Sequence, residues 1–178
     1  QRGQETAQRY GVAHRMDFRR CDGLAALSPG EVDTVVLAGM GGDLMVHILS
    51  AAPWTRDVKL ILQPMSTQEV LRQWLTEHGY AILWEGIARE GEKFYPLFTA
   101  TGGQSPRYSP GELWAGRQQQ GEDNPHRLAY LTEQIRRRQR ALEGMAQSSR
   151  PDPAQLDRER TLQNDLQRMR EEWTQWQR

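Results

Sequence analysis

Apolar positions along the first hundred residues follow two rhythms. Short runs led by β-branched residues, Thr34–Ala38 and Val58–Leu62, read as buried strands. Between them lie segments whose apolar residues recur three and four apart, the mark of helices with one buried face. The clearest is Thr67–Glu77, where Val70, Leu71, Trp74 and Leu75 share a face and His78-Gly79 ends the pattern. Residues 1–10 read as the end of a helix stopped at Gly11. Met16–Cys21 is predicted as a short strand and Leu24–Leu27 as a brief helical piece broken by Ser28-Pro29-Gly30. Thr34–Ala38 runs into Gly39-Met40-Gly41-Gly42, Asp43–Ala51 continues as a helix, and Gln63-Pro64 closes the strand Val58–Leu62. Tyr80–Ala88 and Phe94–Ala100 are strands joined by the polar turn Arg89–Lys93 and should form an antiparallel hairpin. Strands alternating with helices imply an α/β fold with a mainly parallel sheet.

Beyond the cluster Thr101-Gly102-Gly103-Gln104-Ser105-Pro106 the pattern changes. Leu128, Leu131, Ile135, Leu142 and Met145 form one apolar seam, and Leu162, Leu166, Met169, Trp173 and Trp176 a second, both at coiled-coil spacing. The connector 147–153 holds two prolines and is short, so the two helices should fold back as an antiparallel hairpin. The expected division is therefore 1–105 and 106–178.

Composition narrows this picture in a few places. Hydrophobic residues are 37% and charged residues 26% of the chain, and no apolar run approaches the length of a membrane span. The N-terminus reads as no targeting segment, and without an initiator Met it reads as an internal start. A single cysteine, Cys21, allows no internal disulfide and no cysteine-based metal cluster, which points to a cytoplasmic protein. His14, His47, His78 and His126 stand at no metal-ligand spacing, and no serine has a nucleophile-elbow context. Net charge is zero, but the basic residues are two lysines, Lys59 and Lys93, against 21 arginines. Arginine's fork suits phosphate contacts, although a GC-rich genome gives the same bias.

Four local patterns can carry chemistry. Gly39-Met40-Gly41-Gly42 follows a buried strand, where open α/β sheets bind ligands and where glycine lets backbone approach them. A plain strand-to-helix turn would use the same glycines, and neither a phosphate-loop ending nor a dinucleotide fingerprint is present. Asp22-Gly23 sits at another strand end, where a carboxylate can accept from an exocyclic amine such as that of adenine; it can equally cap the next turn. Gln63-Pro64 offers an amide able to read a base edge, or simply ends the strand. In the last turn Lys93 can meet a phosphate and Tyr95 can stack on a base, or the pair merely completes a hairpin. In the helical region Arg136-Arg137-Arg138 with Arg140 is either a solvated face or a phosphate contact, and Arg138 falls near the seam, where an acid on the partner helix can meet it.

Taken together, Arg20–Leu27, Asp33–Gly42, Leu62-Gln63-Pro64, Leu71–Leu75 with His78-Gly79-Tyr80, and Lys93-Phe94-Tyr95 resemble the TrmK family, bacterial tRNA (adenine-22 N1)-methyltransferases. The likeness covers about residues 5–100, and the helical hairpin is similar to that family's C-terminal extension. The resemblance implies an incomplete Rossmann-like class I methyltransferase sheet followed by an all-α antiparallel coiled-coil hairpin. The family's first glycine-rich cofactor loop and its ribose-binding acid are not in the sequence, so weak cofactor binding by this chain alone is expected. Met65 stands where the family often has a polar residue. S-adenosyl-L-methionine is the implied cofactor and tRNA the implied partner, with no metal and no membrane. Asp22, Gly23 and Gly39 are the implied cofactor contacts; Gly39, Met40, Gly41, Gly42, Gln63 and Pro64 the implied catalytic pocket; and Lys93, Tyr95, Arg136, Arg137 and Arg140 the implied tRNA contacts. Methylation of another RNA or a small molecule, and a non-catalytic fragment acting through its coiled coil, are the alternatives.

Overall fold

The computed structural model describes residues 2–148 and 152–177. A short helix α1 (Arg2–Arg9) ends at Gly11, whose φ of 69° serves the left-handed stop expected there. Strand β1 (Thr34–Gly41) leads into α2 (Gly42–Ser50), β2 (Lys59–Ser66) into α3 (Gln68–Glu77), and β3 (Tyr80–Glu90) turns through Gly91-Glu92 into β4 (Lys93–Gly102). The four strands form one sheet in the order β1-β2-β4-β3.

Only β1 and β2 run parallel; β4 pairs antiparallel with both β2 and β3. The expected mainly parallel sheet is therefore a mixed one. The cause is the hairpin itself, since inserting β4 between β2 and β3 makes both of its pairings antiparallel. Strand alternation turns Val35, Leu37, Leu60, Leu62, Phe98 and Ala100 to one face, where they pack on Met45, Ile48 and Leu49 of α2 and Leu71 and Leu75 of α3. Each such side chain contributes about 1.5–3 kcal/mol by leaving water. The other face carries Val36, Ile61 and Thr99, and Val36 is 60% exposed.

Three further expectations need correction. Met16–Cys21 is extended but pairs with no strand; Met16 and Phe18 stay exposed, and Arg19 ties the segment instead to Asp17, Glu31 and the Ala26 carbonyl. A β-rich run becomes a strand only when a neighbour supplies ladder hydrogen bonds. Leu24–Leu27 is a turn closed by Ala25 N–H to Asp22 O and Leu27 N–H to Leu24 O, too short for a helix. Pro64 does not close β2: the strand passes through it to Ser66, because the irregular register opposite Met40 leaves a place for a residue without an N–H.

In the second region α4 (Pro110–Ala115), unforeseen in the sequence, opens with a Ser109–Glu112 capping box. It lies against the hairpin of α5 (Arg127–Ala146) and α6 (Pro153–Trp176). Arg138 to Glu159 and Gln163 to Gln139 fix the two long helices antiparallel. The α6 seam is as read, with Leu166, Met169 and Trp173 buried. On α5, however, Leu128 is 44% exposed, and Arg127, Tyr130 and Gln134 join Leu131 and Ile135 in the seam. Part of the connector, residues 149–151, lies outside the described residues. No described helix is long and apolar enough to cross a membrane.

Candidate active site at the carboxyl ends of β1 and β2

Two adjacent parallel strands bring their carboxyl ends together, as open α/β sheets do where they bind ligands. Between Ala38 and Gly41 the register of β1 slips twice against β2, so that Met40 faces Pro64 and Gly41 faces Ser66. The Gly39 N–H donates to Gln63 Oε1 at 3.1 Å, while Gln63 Nε2 donates to the Pro64 carbonyl at 3.2 Å. The amide read from sequence as a reader of base edges is thus already engaged in bracing the two loops.

The glycines differ in what requires them. Gly39 has φ of 77° and open space where a Cβ would stand, so backbone conformation alone selects it. At Gly42 a Cβ would come within 2.3 Å of the Thr67 carbonyl oxygen, so close packing between the loops selects it. At Gly41 the neighbour is Asp43 Oδ1, at 2.6 Å.

Asp43 and Thr67 form a second brace that sequence reasoning missed. Thr67 Oγ1 donates to Asp43 Oδ1 at 2.8 Å and accepts from the Asp43 N–H at 3.2 Å. The Thr67 hydroxyl, and then backbone N–H groups at the start of α2, hold the Asp43 carboxyl below its ordinary range. Thr67 is itself in the left-handed region, φ 49°, the one non-glycine residue there among those described. For a β-branched side chain that conformation costs about 1–3 kcal/mol and is kept only where neighbours enforce it. In the sequence both residues read only as the first positions of two predicted helices, Asp43–Ala51 and Thr67–Glu77, which hid them.

The remaining expected site residues are spread out. Asp22 and Gly23 line a different cleft, of about 250 Å³, with His47, Ile48 and Trp54. Lys93 is exposed at the tip of the β-hairpin. Tyr95 donates its hydroxyl to Glu90 Oε2 at 3.2 Å, and partial burial, then that carboxylate, raise its pKa. Alternation puts Tyr95 on the opposite face from Phe94 and Pro96, and these two, not Tyr95, share a cleft with Met65, Ser66 and Thr67. On α5, Arg136 and Arg137 both pair with Glu133, Arg138 reaches Glu159 across the hairpin, and Arg140 is exposed. Among the described residues no cluster of three or more His, Cys, Asp or Glu could hold a metal ion.

A family described as a methyltransferase domain matches residues 1–98. The chain is 37% identical over 98 residues to the tRNA (adenine(22)-N(1))-methyltransferase of Bacillus subtilis (strain 168), covering 54% of this chain and 41% of that protein. The match thus spans about two-fifths of that relative's length. Among solved structures, a putative tRNA (m1A22) methyltransferase of Streptococcus pneumoniae superposes with a TM-score of 0.79 at 25% identity, covering 94% of this chain and 75% of that one. A structure of the S. pneumoniae protein in complex with S-adenosyl-L-methionine gives 0.73 at 27% identity, covering 91% and 73%. The two structural likenesses span both the sheet and the helical hairpin.

Proposed function

Because the chain belongs to the methyltransferase-domain family, we propose that it serves S-adenosylmethionine-dependent methylation of N1 of adenine-22 in tRNA, within the bacterial cytoplasm. The observation that supports this most is the braced pair of loops, Gly39–Gly42 against Gln63–Thr67, in a chain alike over its first region to a protein named for that reaction.

The residues fit the adenosine part of such a cofactor. Asp22 has an exposed carboxylate able to accept from an exocyclic amine, and Gly23, with φ of 50°, turns the chain beside it in the cleft against α2. The cofactor, when bound, supplies a sulfonium methyl group. Transfer to adenine N1 would break the carbon–sulfur bond, leave a neutral thioether and pass the positive charge to the methylated ring, so the free lone pair of N1 would need no strong base. The work left to the protein is placement, worth up to roughly 7–11 kcal/mol when near-attack geometry is held. The braces give that placement: Gln63 and Thr67 each tie the β2 loop to the β1 loop, so the two rims of the pocket keep one spacing. N1 lies on the pairing edge, so the base must leave its stack before it reacts. The helical hairpin then grips the tRNA by shape and by phosphate contacts.

The test is methyl transfer from labelled S-adenosylmethionine to tRNA, followed by nucleoside analysis. Labelled 1-methyladenosine, lost when adenine-22 is replaced, is the expected result. Transfer that survives the replacement would point to another substrate.

A further inference from the structure

A cleft of about 350 Å³ runs from the end of β2 to α5, between the sheet and the helical hairpin. That volume lies within the ~300–1,000 Å³ typical of small-molecule sites. Its walls are aromatic: Phe94 from β4, Trp114 from α4 and Tyr130 from α5, with Phe94 and Tyr130 edge to face at 5.7 Å. Met65, Ser66 and Thr67 form one rim, so the cleft adjoins the loops of the proposed pocket.

The second observation is polar. Buried side-chain nitrogens and oxygens in folded proteins almost always have partners. Among the described residues five do not, and three of the five, Tyr130 Oη, Arg138 Nε and Glu69 Oε2, belong to residues lining this cleft. Tyr130 is 2% exposed, and burial raises the pKa of its hydroxyl, which therefore stays protonated. Arg138 lies over the Trp114 ring at 4.2 Å and spends its Nη1 on Glu159, which leaves Nε free. A carboxylate acceptor, a guanidinium donor and a hydroxyl that does both, on residues that line the same cleft as three rings, match a flat heterocycle bearing an exocyclic amine and ring acceptors. A phosphate alone would leave the three rings unused.

We infer that this cleft holds the unpaired base of a nucleotide next to the target adenine, displaced from the stack when the target is withdrawn. This rests on the reading of the chain as acting on tRNA. The cleft's position explains why a displaced neighbour would lodge there: it continues the pocket rim at Met65–Thr67 towards the helices that carry the RNA. Stacking on aromatic side chains tolerates any base, and the three polar atoms then select for base edges.

The test uses the full chain and a fluorescein-labelled tRNA transcript with adenine at position 22. Tyr130→Phe keeps the ring and removes the unpartnered hydroxyl, and should weaken RNA binding about two- to tenfold, the range of one hydrogen bond. Its melting temperature should hold or rise, because no protein group loses a partner; a residue with a purely structural role would lose stability. Glu69→Gln, on the first turn of α3, should show the same loss in binding. Transcripts lacking the base on one or the other side of adenine-22 locate the occupant. On one of the two, wild type should fall to the level of Tyr130→Phe, and the variant should lose nothing more. Unchanged binding by both variants, or a loss that persists on both abasic transcripts, overturns the assignment. Labelled methyl transfer by wild type is measured in parallel. Transfer to adenine-22 without the binding pattern removes the cleft assignment alone, whereas the pattern without transfer removes the proposed reaction.

Discussion

The molecule ties its elements with polar groups in two places, one exposed and one buried. At the carboxyl ends of β1 and β2 the loops are held by exposed bonds, Gly39 N–H to Gln63 and Thr67 to the Asp43 carboxylate and N–H, around glycines that let backbones touch. At the joint between sheet and hairpin the bonds are ionic. Arg72, 1% exposed, pairs with Glu85 at 2.7 Å and donates to the Leu113 and Trp114 carbonyls; Arg127, 2% exposed, donates to those of Ala115 and Gly116. Two arginines from opposite sides thus satisfy the carbonyls at the end of α4, which an isolated helix would leave to water. The one charge in the loop brace, on Asp43, stays in contact with water. A permanent joint can use buried charges, because its partners never separate.

The largest expected effect follows from the joint. Glu85→Ala leaves Arg72 buried without its counter-charge and removes the acceptor of the Arg117 N–H, 2.9 Å away. Breaking one side of a buried pair typically costs about 3–5 kcal/mol, whereas replacing both partners by apolar residues is often neutral. Denaturant unfolding should therefore show Glu85→Ala as severely destabilised and Arg72→Met with Glu85→Leu as partly restored. A loss below about 1 kcal/mol for the single change would mean that the pair is not needed at the joint.

Smaller effects are expected from the loops, where position rather than charge decides. Gly42→Ala places a Cβ against the backbone oxygen of Thr67, which cannot swing aside as a side chain would. Overpacking of this kind costs about 1–3 kcal/mol, and relieving it spreads the two loops. Gly39→Ala meets no atom and bears only the left-handed conformation, about 1–2 kcal/mol. Methyl transfer should fall further in Gly42→Ala than its melting curve explains, and in Gly39→Ala about in step with stability. Equal behaviour of the two variants would show that the glycines act through conformation alone.

How far each place could be read in the sequence follows from the same contrast. The strand-then-glycine pattern at Thr34–Gly42 and the α6 seam were legible because each is written in consecutive residues with a fixed period. The braces were half legible: Gln63 was picked out, but its partner Gly39 lies 24 positions away, and Asp43 and Thr67 merely open predicted helices. The joint was not legible. Arg72 sits inside an amphipathic helix and Glu85 inside a strand, and nothing local distinguishes them from solvated charges. Leu128 was assigned to the seam by spacing, but Arg127, one place earlier, turns inward because the α4 carbonyls need a donor. Met16–Cys21 failed as a strand for the converse reason: its own pattern was adequate and its partner was lacking.

The smallest effect on stability, and the sharpest test of how the two regions divide the work, comes from the outer face of α5. Between Arg107 and Arg178 the sequence has 13 arginines and 11 acids, a surplus too small for a general electrostatic arm. Within it Arg136 and Arg137 share the single carboxylate of Glu133, and Arg140 adds a third exposed cation on the same stretch. Exposed pairs of this sort contribute little, about 0–1 kcal/mol, so changing Arg136, Arg137 and Arg140 to Ala should leave the melting curve nearly unchanged. Arg138 is kept, since it bridges to Glu159 and covers Trp114. If the three cations meet phosphates, the slope of log affinity for tRNA against log salt should flatten by roughly 2–3 in the triple variant, at about 0.7–0.9 per phosphate contact. Unlike Tyr130→Phe, the double variant of Arg136 and Arg140, which keeps the cleft-lining Arg137, should weaken binding to intact and abasic transcripts alike, because phosphate contacts do not read bases. An unaltered salt slope in the folded variant would confine RNA contact to the sheet's carboxyl end and the adjoining cleft, and leave the outer hairpin as a stability element.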